Sequence, residues 1–453
     1  MKVTLIYPSV GRKEGVPYVR AWQMEPLSMA LLASLTPPDV EIRFFDDRLE
    51  DIPLDEPTDL VAISVETFTA LRAYSIAREY RARGVPVVMG GYHVTLIPAE
   101  AAEHADAIVI GDADTVWESM LDDARHGRLQ PIYRGVARRN LSGLRPRREI
   151  FSGKNYQNIT LVEFARGCNF QCDFCSITAF HHASQNHRPP REVAAEMEAT
   201  GSRRFFVVDD NFVSQPEMAR QLCRELIPLN VHWVGQASLH IANDDDLLEL
   251  MVRSGCLGVL VGMESLDPEN LRDMGKQWNL SAGTYAESLQ RFRSHGLAVY
   301  GTFVFGYDND DAETVRRSVE FARQQKLFLA AFNHLVPFPG TPLYRRLQEQ
   351  GRLRTPKWWL DPAGRVGDVT FRPAKMSPDE LQEACLEARR EFYRWGSIFS
   401  RMRDRRANIK NLLMASVFLG LNATSHFDID LRQGLQLGAG PLPIGVVDEP
   451  LSV

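Results

Sequence analysis

No cysteine precedes Cys168 in this 453-residue chain. That absence excludes an N-terminal metal cluster or disulfide framework held by thiols. Only six cysteines occur in all, and three of them (Cys223, Cys256 and Cys385) stand alone in apolar surroundings, the setting of small buried hydrophobes. Free thiols fit a reducing compartment, so a cytoplasmic location is expected. A basic excess is also missing. The formal net charge is −6, so no global field attracts nucleic acid. The longest apolar run, Leu412 to Leu421, falls short of a membrane span. The opening MKVTLIYPSV turns polar too early for a signal peptide. With 44 % hydrophobic and 24 % charged residues, what remains is an ordinary globular composition, long enough for about three domains.

The other three cysteines lie together. Cys168, Cys172 and Cys175 are spaced C-x3-C-x2-C in the stretch Arg-Gly-Cys-Asn-Phe-Gln-Cys-Asp-Phe-Cys. Three thiolates in one short loop can hold a soft metal centre. Three is one ligand short of a closed zinc site or a fully ligated four-iron cluster. The count therefore predicts an open coordination position. A zinc site completed by a distant cysteine, or by His181, His182 or His187, is the alternative, but no second half-motif follows.

Periodicity divides the chain. Residues 1–125 alternate short apolar strands with helices, the pattern of a Rossmann-like parallel sheet covered on both faces. Glycines at the strand ends, Gly90, Gly91 and Gly111, suit close approach of a large ligand to the backbone. Residues 126–157, rich in Arg, Gly and Pro, read as a connector. A second alternating series follows over 158–374, with six strand–helix units that predict a partial (β/α)6 barrel. Residues 375–453 read as a C-terminal helical region that caps the barrel, with a Gly/Pro-rich extended tail after Gly434. The fold class is α/β. Polar groups cluster where barrel strands end: Asp209 and Asp210, then Gln236 and Ser238, then Glu264. A helix N-cap role is the plainer reading for Asp209, Asp210 and Glu264. No catalytic acid or base stands out.

The cysteine triplet, with Phe174 before its last member, resembles the signature of the radical S-adenosylmethionine (SAM) enzymes. The resemblance implies a [4Fe-4S] cluster on Cys168, Cys172 and Cys175 whose open iron chelates SAM and releases a 5′-deoxyadenosyl radical. It implies SAM contacts from Phe174, Asp209, Asp210, Gln236, Ser238 and Glu264. Upstream, Asp46-Asp47-Arg48, Ser64 to Thr67, Met89 to Thr95 and Gly111 to Asp114 resemble the cobalamin-binding domain fused to many radical SAM enzymes. Arg48, Ser64, Glu66, Thr67, Gly90, Gly91, Tyr92, His93, Val94, Gly111, Asp112 and Ala113 are then the expected cobalamin contacts. The turn Asp46 to Asp51 lacks the histidine that serves many cobalamin proteins as lower axial ligand, and His93 is not assigned that role. A domain that kept this fold without the cofactor is the alternative. Together these features resemble the cobalamin-dependent branch that includes hopanoid methylases and the anaerobic magnesium-protoporphyrin cyclase. That resemblance implies methylation of an unactivated carbon of a natural-product or lipid-like small molecule via methylcobalamin. Cyclisation, oxidation or rearrangement is the alternative. It also implies an external one-electron reductant of flavodoxin or ferredoxin type, with neither a nucleic-acid partner nor a membrane span. A tRNA methylthiotransferase would carry three further N-terminal cysteines, and an electron carrier a fully ligated cluster.

Overall fold

The computed structural model describes residues 1–442 apart from residues 14, 17 and 139. Its first layer is a six-stranded parallel sheet. The strands are β1 (Lys2–Tyr7), β2 (Glu41–Asp46), β3 (Leu60–Ser64), β4 (Val87–Gly90), β5 (Ala107–Ile110) and β6 (Ile132–Arg134), in the order β2-β1-β3-β4-β5-β6. The central strands are near-continuous apolar runs because both faces are covered. Ile6, Ile63, Met89 and Ile108 pack against the helix Ala70–Ala82. Leu5, Ala62, Val88 and Val109 pack against the helices Leu27–Leu35 and Trp117–Arg125. Strand order reverses between β1 and β3, which opens a crevice beyond their carboxyl ends. Strand β6 comes from the stretch read as a connector. Its three residues are too short to show a period, and only pairing with β5 reveals it.

Eight strands follow: β7 (Thr160–Val162), β8 (Ala165–Gly167), β9 (Gln185–His187), β10 (Arg204–Val207), β11 (His232–Ala237), β12 (Cys256–Glu264), β13 (Ala298–Phe305) and β14 (Leu329–His334). Six of them form the expected partial barrel, all parallel, in the order β7-β10-β11-β12-β13-β14. β8 and β9 pair antiparallel outside it. That small ribbon was not legible in the sequence, because its strands are only three residues long. Val207, Val261, Phe303 and Phe332 are buried in the barrel core.

The C-terminal region is helical as expected. Helix Pro378–Tyr393 opens with a capping box in which Ser377 and Glu380 satisfy each other's backbone. The basic run Arg401 to Arg406 begins with a surprise for a charged surface segment: Arg401 is fully buried. It donates to the carbonyls of Leu327, Phe328 and Phe392 and to Asn422, and its guanidinium lies 3.8 Å from the Phe392 ring centroid. The helix Leu412–Arg432 runs well past the apolar run that marked it. The chain then returns to the N-terminal domain, where the Gly438 amide donates to Val10 and the Arg12 amide to Ala439. Residues 443–453 of the Gly/Pro-rich tail lie outside the described residues.

A buried polar network locks the two domains together. His93 is fully buried, and its Nε2 lies 3.1 Å from both Tyr74 Oη and Glu100 Oε1. Trp359, beyond the barrel, donates to the same Glu100 oxygen at 2.9 Å, and Lys357 lies 3.3 Å from the other. Burial raises the Glu100 pKa, but hydrogen bonds from His93 and Trp359, with the charges of His93 and Lys357, outweigh it and hold the carboxyl below its ordinary value of 4.5. A carboxylate with a depressed folded pKa stabilises the fold above its unfolded pKa, and that stability disappears as pH falls through the folded value. Glu100→Gln is therefore expected to cost about 1–3 kcal/mol near neutral pH. The gap to the unmutated protein should close below about pH 4. Urea melts across that range check this, and a gap independent of pH refutes it.

Candidate active site

The three thiols sit where barrel strands end. β7 stops at Val162, the chain turns through Glu163 and Phe164, and β8 delivers Gly167 directly into the cysteine loop. Gly167 has a φ of +86°, and a Cβ there would stand 2.1 Å from the Ser184 carbonyl oxygen. Only glycine allows the loop to leave β8 against β9 in this way. Cys172 is buried, whereas Cys168 and Cys175 are half-buried. Burial raises the Cys172 thiol to about 12, and the neighbouring thiols and Glu264 push the same way against Lys276. Burial also raises Cys168, with Cys175 and Asp210 adding to it. Three mutually repelling sulfurs in one half-buried pocket become thiolates readily only around a positive body. The donor set therefore fits an iron–sulfur cluster. Among the described residues, no further His, Cys, Asp or Glu groups with these thiols to complete a four-ligand site.

The carboxylates at the strand ends are not helix caps. Asp209 Oδ1 accepts from the Phe164 and Ala165 amides at 2.8 and 2.9 Å, and Asp210 Oδ2 accepts from the Gly167 amide at 2.9 Å. Both fix the backbone that enters the cysteine loop. Asp209 is fully buried beneath it, which raises its carboxyl well above the ordinary range, and Asp210 is raised to about 6, also by burial. Asn211, unremarked in the sequence, hydrogen-bonds Cys168 Sγ at 3.7 Å and Ser238 Oγ at 3.1 Å. Gln236 is half-buried one strand over, and its carbonyl accepts from the Phe212 amide.

Glu264 ends β12 at a register shift and holds a left-handed φ of +63°. Such strain in a non-glycine residue persists where its surroundings impose it, commonly at binding sites. The helix that follows is capped by Asp267 instead. Glu264 Oε1 accepts from Lys276 Nζ at 2.5 Å, and both side chains are buried. Lys276 faces Cys172 and Cys175 as well. It was not singled out in the sequence, because a lysine after Met-Gly carries no local pattern. Asp173 was missed for the same reason. It accepts from Tyr307 at 2.5 Å and from Arg346 at 2.6 Å, and its amide donates to the Met274 carbonyl. The ring of Phe170 stacks on Trp278, with centroids 3.9 Å apart. The loop is thus clamped from three directions. Arg188 is buried and donates to the Glu163 and Leu144 carbonyls, so it braces the loop from below.

The N-terminal sheet presents its carboxyl ends to this loop. Tyr92 Oη lies 3.4 Å from His181 Nε2, and its ring packs on Phe180 with centroids 4.6 Å apart. Burial raises the Tyr92 phenol, and the negative groups Asp210, Asp112 and Cys175 add to it. Arg166 of β8 bridges the two domains through Asp114 at 2.6 Å and Asp112 at 3.6 Å. Ser64, Gly90, Gly91, Gly111, Asp112 and Ala113 are half-buried at the strand ends. Gly91 has a φ of +104°, and a Cβ there would lie 2.8 Å from the Val65 carbonyl oxygen, so its own backbone already requires glycine. The remaining expected cobalamin contacts already have partners within the protein or are buried, although Glu66 is exposed. Arg48 pairs with Asp46 and donates to the Trp22 and Met24 carbonyls; Glu66 accepts from Tyr7. Thr67 and Val94 are buried, and the His93 imidazole belongs to the network under Glu100.

A cavity of about 1440 Å³ runs through the barrel. Phe174, Val304, Asn333 and His334 line its upper part, and Leu257, Ala298 and Phe328 its floor. Loop residues around Phe338 and Trp358, together with Val417 and Leu421 of the last long helix, close its side. Its lining is mostly apolar, with Arg354, Arg365 and Arg389 among the few cations.

Residues 162–322 match the profile of the radical SAM superfamily. Over 396 residues the chain is 28 % identical to the bacteriochlorophyllide d C-12(1)-methyltransferase of Chlorobaculum tepidum, covering 84 % of this chain and 86 % of that protein. It is 25 % identical to the anaerobic magnesium-protoporphyrin IX monomethyl ester cyclase of Rubrivivax gelatinosus over 64 % of this chain and 58 % of that one. Its fold resembles that of the radical SAM methyltransferase TsrM of Kitasatospora setae, solved with cobalamin and a [4Fe-4S] cluster bound. The TM-score is 0.63 at 18 % identity, over 84 % of this chain and 81 % of that one. The matched segment holds the cysteine loop and most of the parallel barrel, so residues 162–322 are a radical SAM domain.

Proposed function

We propose that this protein is a cobalamin-dependent radical SAM methyltransferase acting on a large, mostly apolar small molecule. One observation carries the reading: the strand ends of the N-terminal sheet and the cysteine loop face each other across Tyr92, His181 and Arg166, above a large apolar cavity. When bound, the cluster supplies the electron that cleaves SAM, and the corrin carries the methyl group. Cys168, Cys172 and Cys175 would hold the cluster. Phe174, Asp210, Gln236, Ser238 and Glu264 border the place for SAM, with Lys276 as an added cation. Asp209 serves indirectly, by holding the loop backbone. Short residues at Ser64, Gly90, Gly111 and Ala113 leave room at the sheet's edge for the corrin and its tail. A Cβ at Gly90 would rest on Val109 at an ordinary contact distance of 3.5 Å, so the edge tolerates only a small residue without rearrangement.

The substrate we favour is a ring system the size of a tetrapyrrole bearing a carboxylate. The cavity volume, its apolar walls and the five arginines on its lining suit such a molecule, and the named methyltransferase relative acts on one. A flavodoxin or ferredoxin would deliver electrons. The relative named as a cyclase favours a second reading, ring closure or oxidation at the same site.

Anaerobic reconstitution with iron, sulfide and hydroxocobalamin, then SAM, reductant and chlorophyllide, separates the two. Methyl transfer yields deoxyadenosine and S-adenosylhomocysteine in equal amounts, with a product heavier by one methyl group. Deoxyadenosine without S-adenosylhomocysteine assigns the second reading and refutes the first.

A further inference from the structure

The helix Leu412–Arg432 has two apolar sides. On one, Met414 and Phe418 are buried against Ala298, Phe328 and Ile398, and Asn422 is buried beside them. The other faces solvent along the length of the helix. It carries Leu412 at 90 % exposure, Leu413 at 39 %, Phe427 at 66 % and Leu431 at 55 %, with Ser416, Gly420 and Thr424 between them. No charged side chain interrupts this face before Asp430. The preceding helix widens it. Trp395 and Phe399 are exposed and stacked on each other, and the Trp395 ring lies 6.4 Å from that of Phe427.

A core helix would be covered, yet only 28 % of the most apolar window of this one is buried. A membrane-spanning helix would be free all round, and this one is held to the barrel along one side. A helix with one side on protein and one apolar side outward suits a position in the plane of a bilayer surface. Aromatic rings at its edge suit the headgroup level. Charge points the same way. Arg403, Arg405 and Arg406 are exposed just before the helix, and among the described residues none has a carboxylate within ion-pair distance.

We propose that this face seats the protein on an anionic lipid surface, with Leu412, Leu413, Phe427, Trp395 and Phe399 at the acyl boundary and the three arginines on the headgroups. The cavity gives the seat a purpose. Val417 and Leu421 of the same helix line the cavity, so its side wall would rest against the lipid from which an apolar substrate partitions. The docking itself needs neither SAM nor methyl transfer, so its failure leaves the proposed reaction untouched.

Vesicle flotation with the full-length protein tests it. The probes are extruded phosphatidylcholine vesicles with and without about 30 % phosphatidylglycerol. Binding is expected on the anionic vesicles, at least about tenfold weaker on phosphatidylcholine alone, and weakened by salt. The double variants Leu412→Glu/Phe427→Glu and Arg405→Glu/Arg406→Glu should each lose at least about tenfold in binding. Far-UV circular dichroism should be unchanged, because these side chains are exposed. Equal retention on both vesicle types, or binding by the double variants that matches the unmutated protein, overturns the proposal. A concentration-dependent dimer abolished by Phe427→Glu, without vesicle binding, assigns the face to a second copy instead.

Discussion

Cys172→Ala is expected to abolish the iron–sulfur chromophore and to lower deoxyadenosine formation by at least about 1000-fold. Cys172 is the buried member of the triplet, and its loop is clamped from several sides. No other thiol can move in to replace it. Cys223, Cys256 and Cys385 are buried in apolar packing elsewhere in the barrel and its helical cap. Their alanine variants are the control. Each removes a small hydrophobe and should lower stability by about 1–2 kcal/mol while leaving iron content unchanged. Iron and sulfide analysis with a SAM-cleavage assay reads both arms. A Cys172→Ala protein that still binds four irons and cleaves SAM would remove the thiols from the site.

Lys276→Met should lower the thermal midpoint of the cofactor-free protein by about 10 °C. The change leaves Glu264 buried without its cation, a loss of about 3–5 kcal/mol, and a domain of this size shifts by about 2–4 °C per kcal/mol. Both partners are nearly sealed from water, at 9 and 8 % side-chain exposure, so solvent screens the pair little. Adding Glu264→Gln to Lys276→Met should recover most of that loss, because the orphaned charge is gone. Differential scanning calorimetry on the three variants gives the answer. If the double variant is no more stable than Lys276→Met, the pair is not the source of the loss. In the reconstituted enzyme, Lys276→Met and Glu264→Gln should each raise the KM for SAM, since both side chains face the cysteine loop.

Several features were legible before any coordinates. The alternation of apolar runs with helical periods was enough to read both parallel sheets, because a strand buried on two faces needs an unbroken apolar run. The cysteine triplet was legible because metal ligation demands fixed residue types at short spacing. The ribbon β8–β9 was not, since three-residue strands carry no period. Nor were the roles of Asp209 and Asp210. In sequence they read as ligand contacts or helix caps, and in the structure they grip the backbone amides of residues 164, 165 and 167. His93 sits in the most family-like stretch of the N-terminal domain, yet its side chain joins a network with Tyr74, Glu100 and Trp359.

By itself, then, the sequence determined most of the element order and the close spacing of Cys168, Cys172 and Cys175, which reads as an open-sided cluster. Both are written in local spacing, and local spacing follows from chain geometry alone. The missing fourth cysteine is the same kind of information. The tertiary structure decided what surrounds those thiols. Lys276, Asn211, Tyr307, Arg346 and Tyr92 reach the cysteine loop from distant parts of the chain. It also decided that the last long helix turns one apolar side to the barrel and the other to solvent. No local pattern encodes such meetings, because burial and long-range contact exist only once the chain has packed.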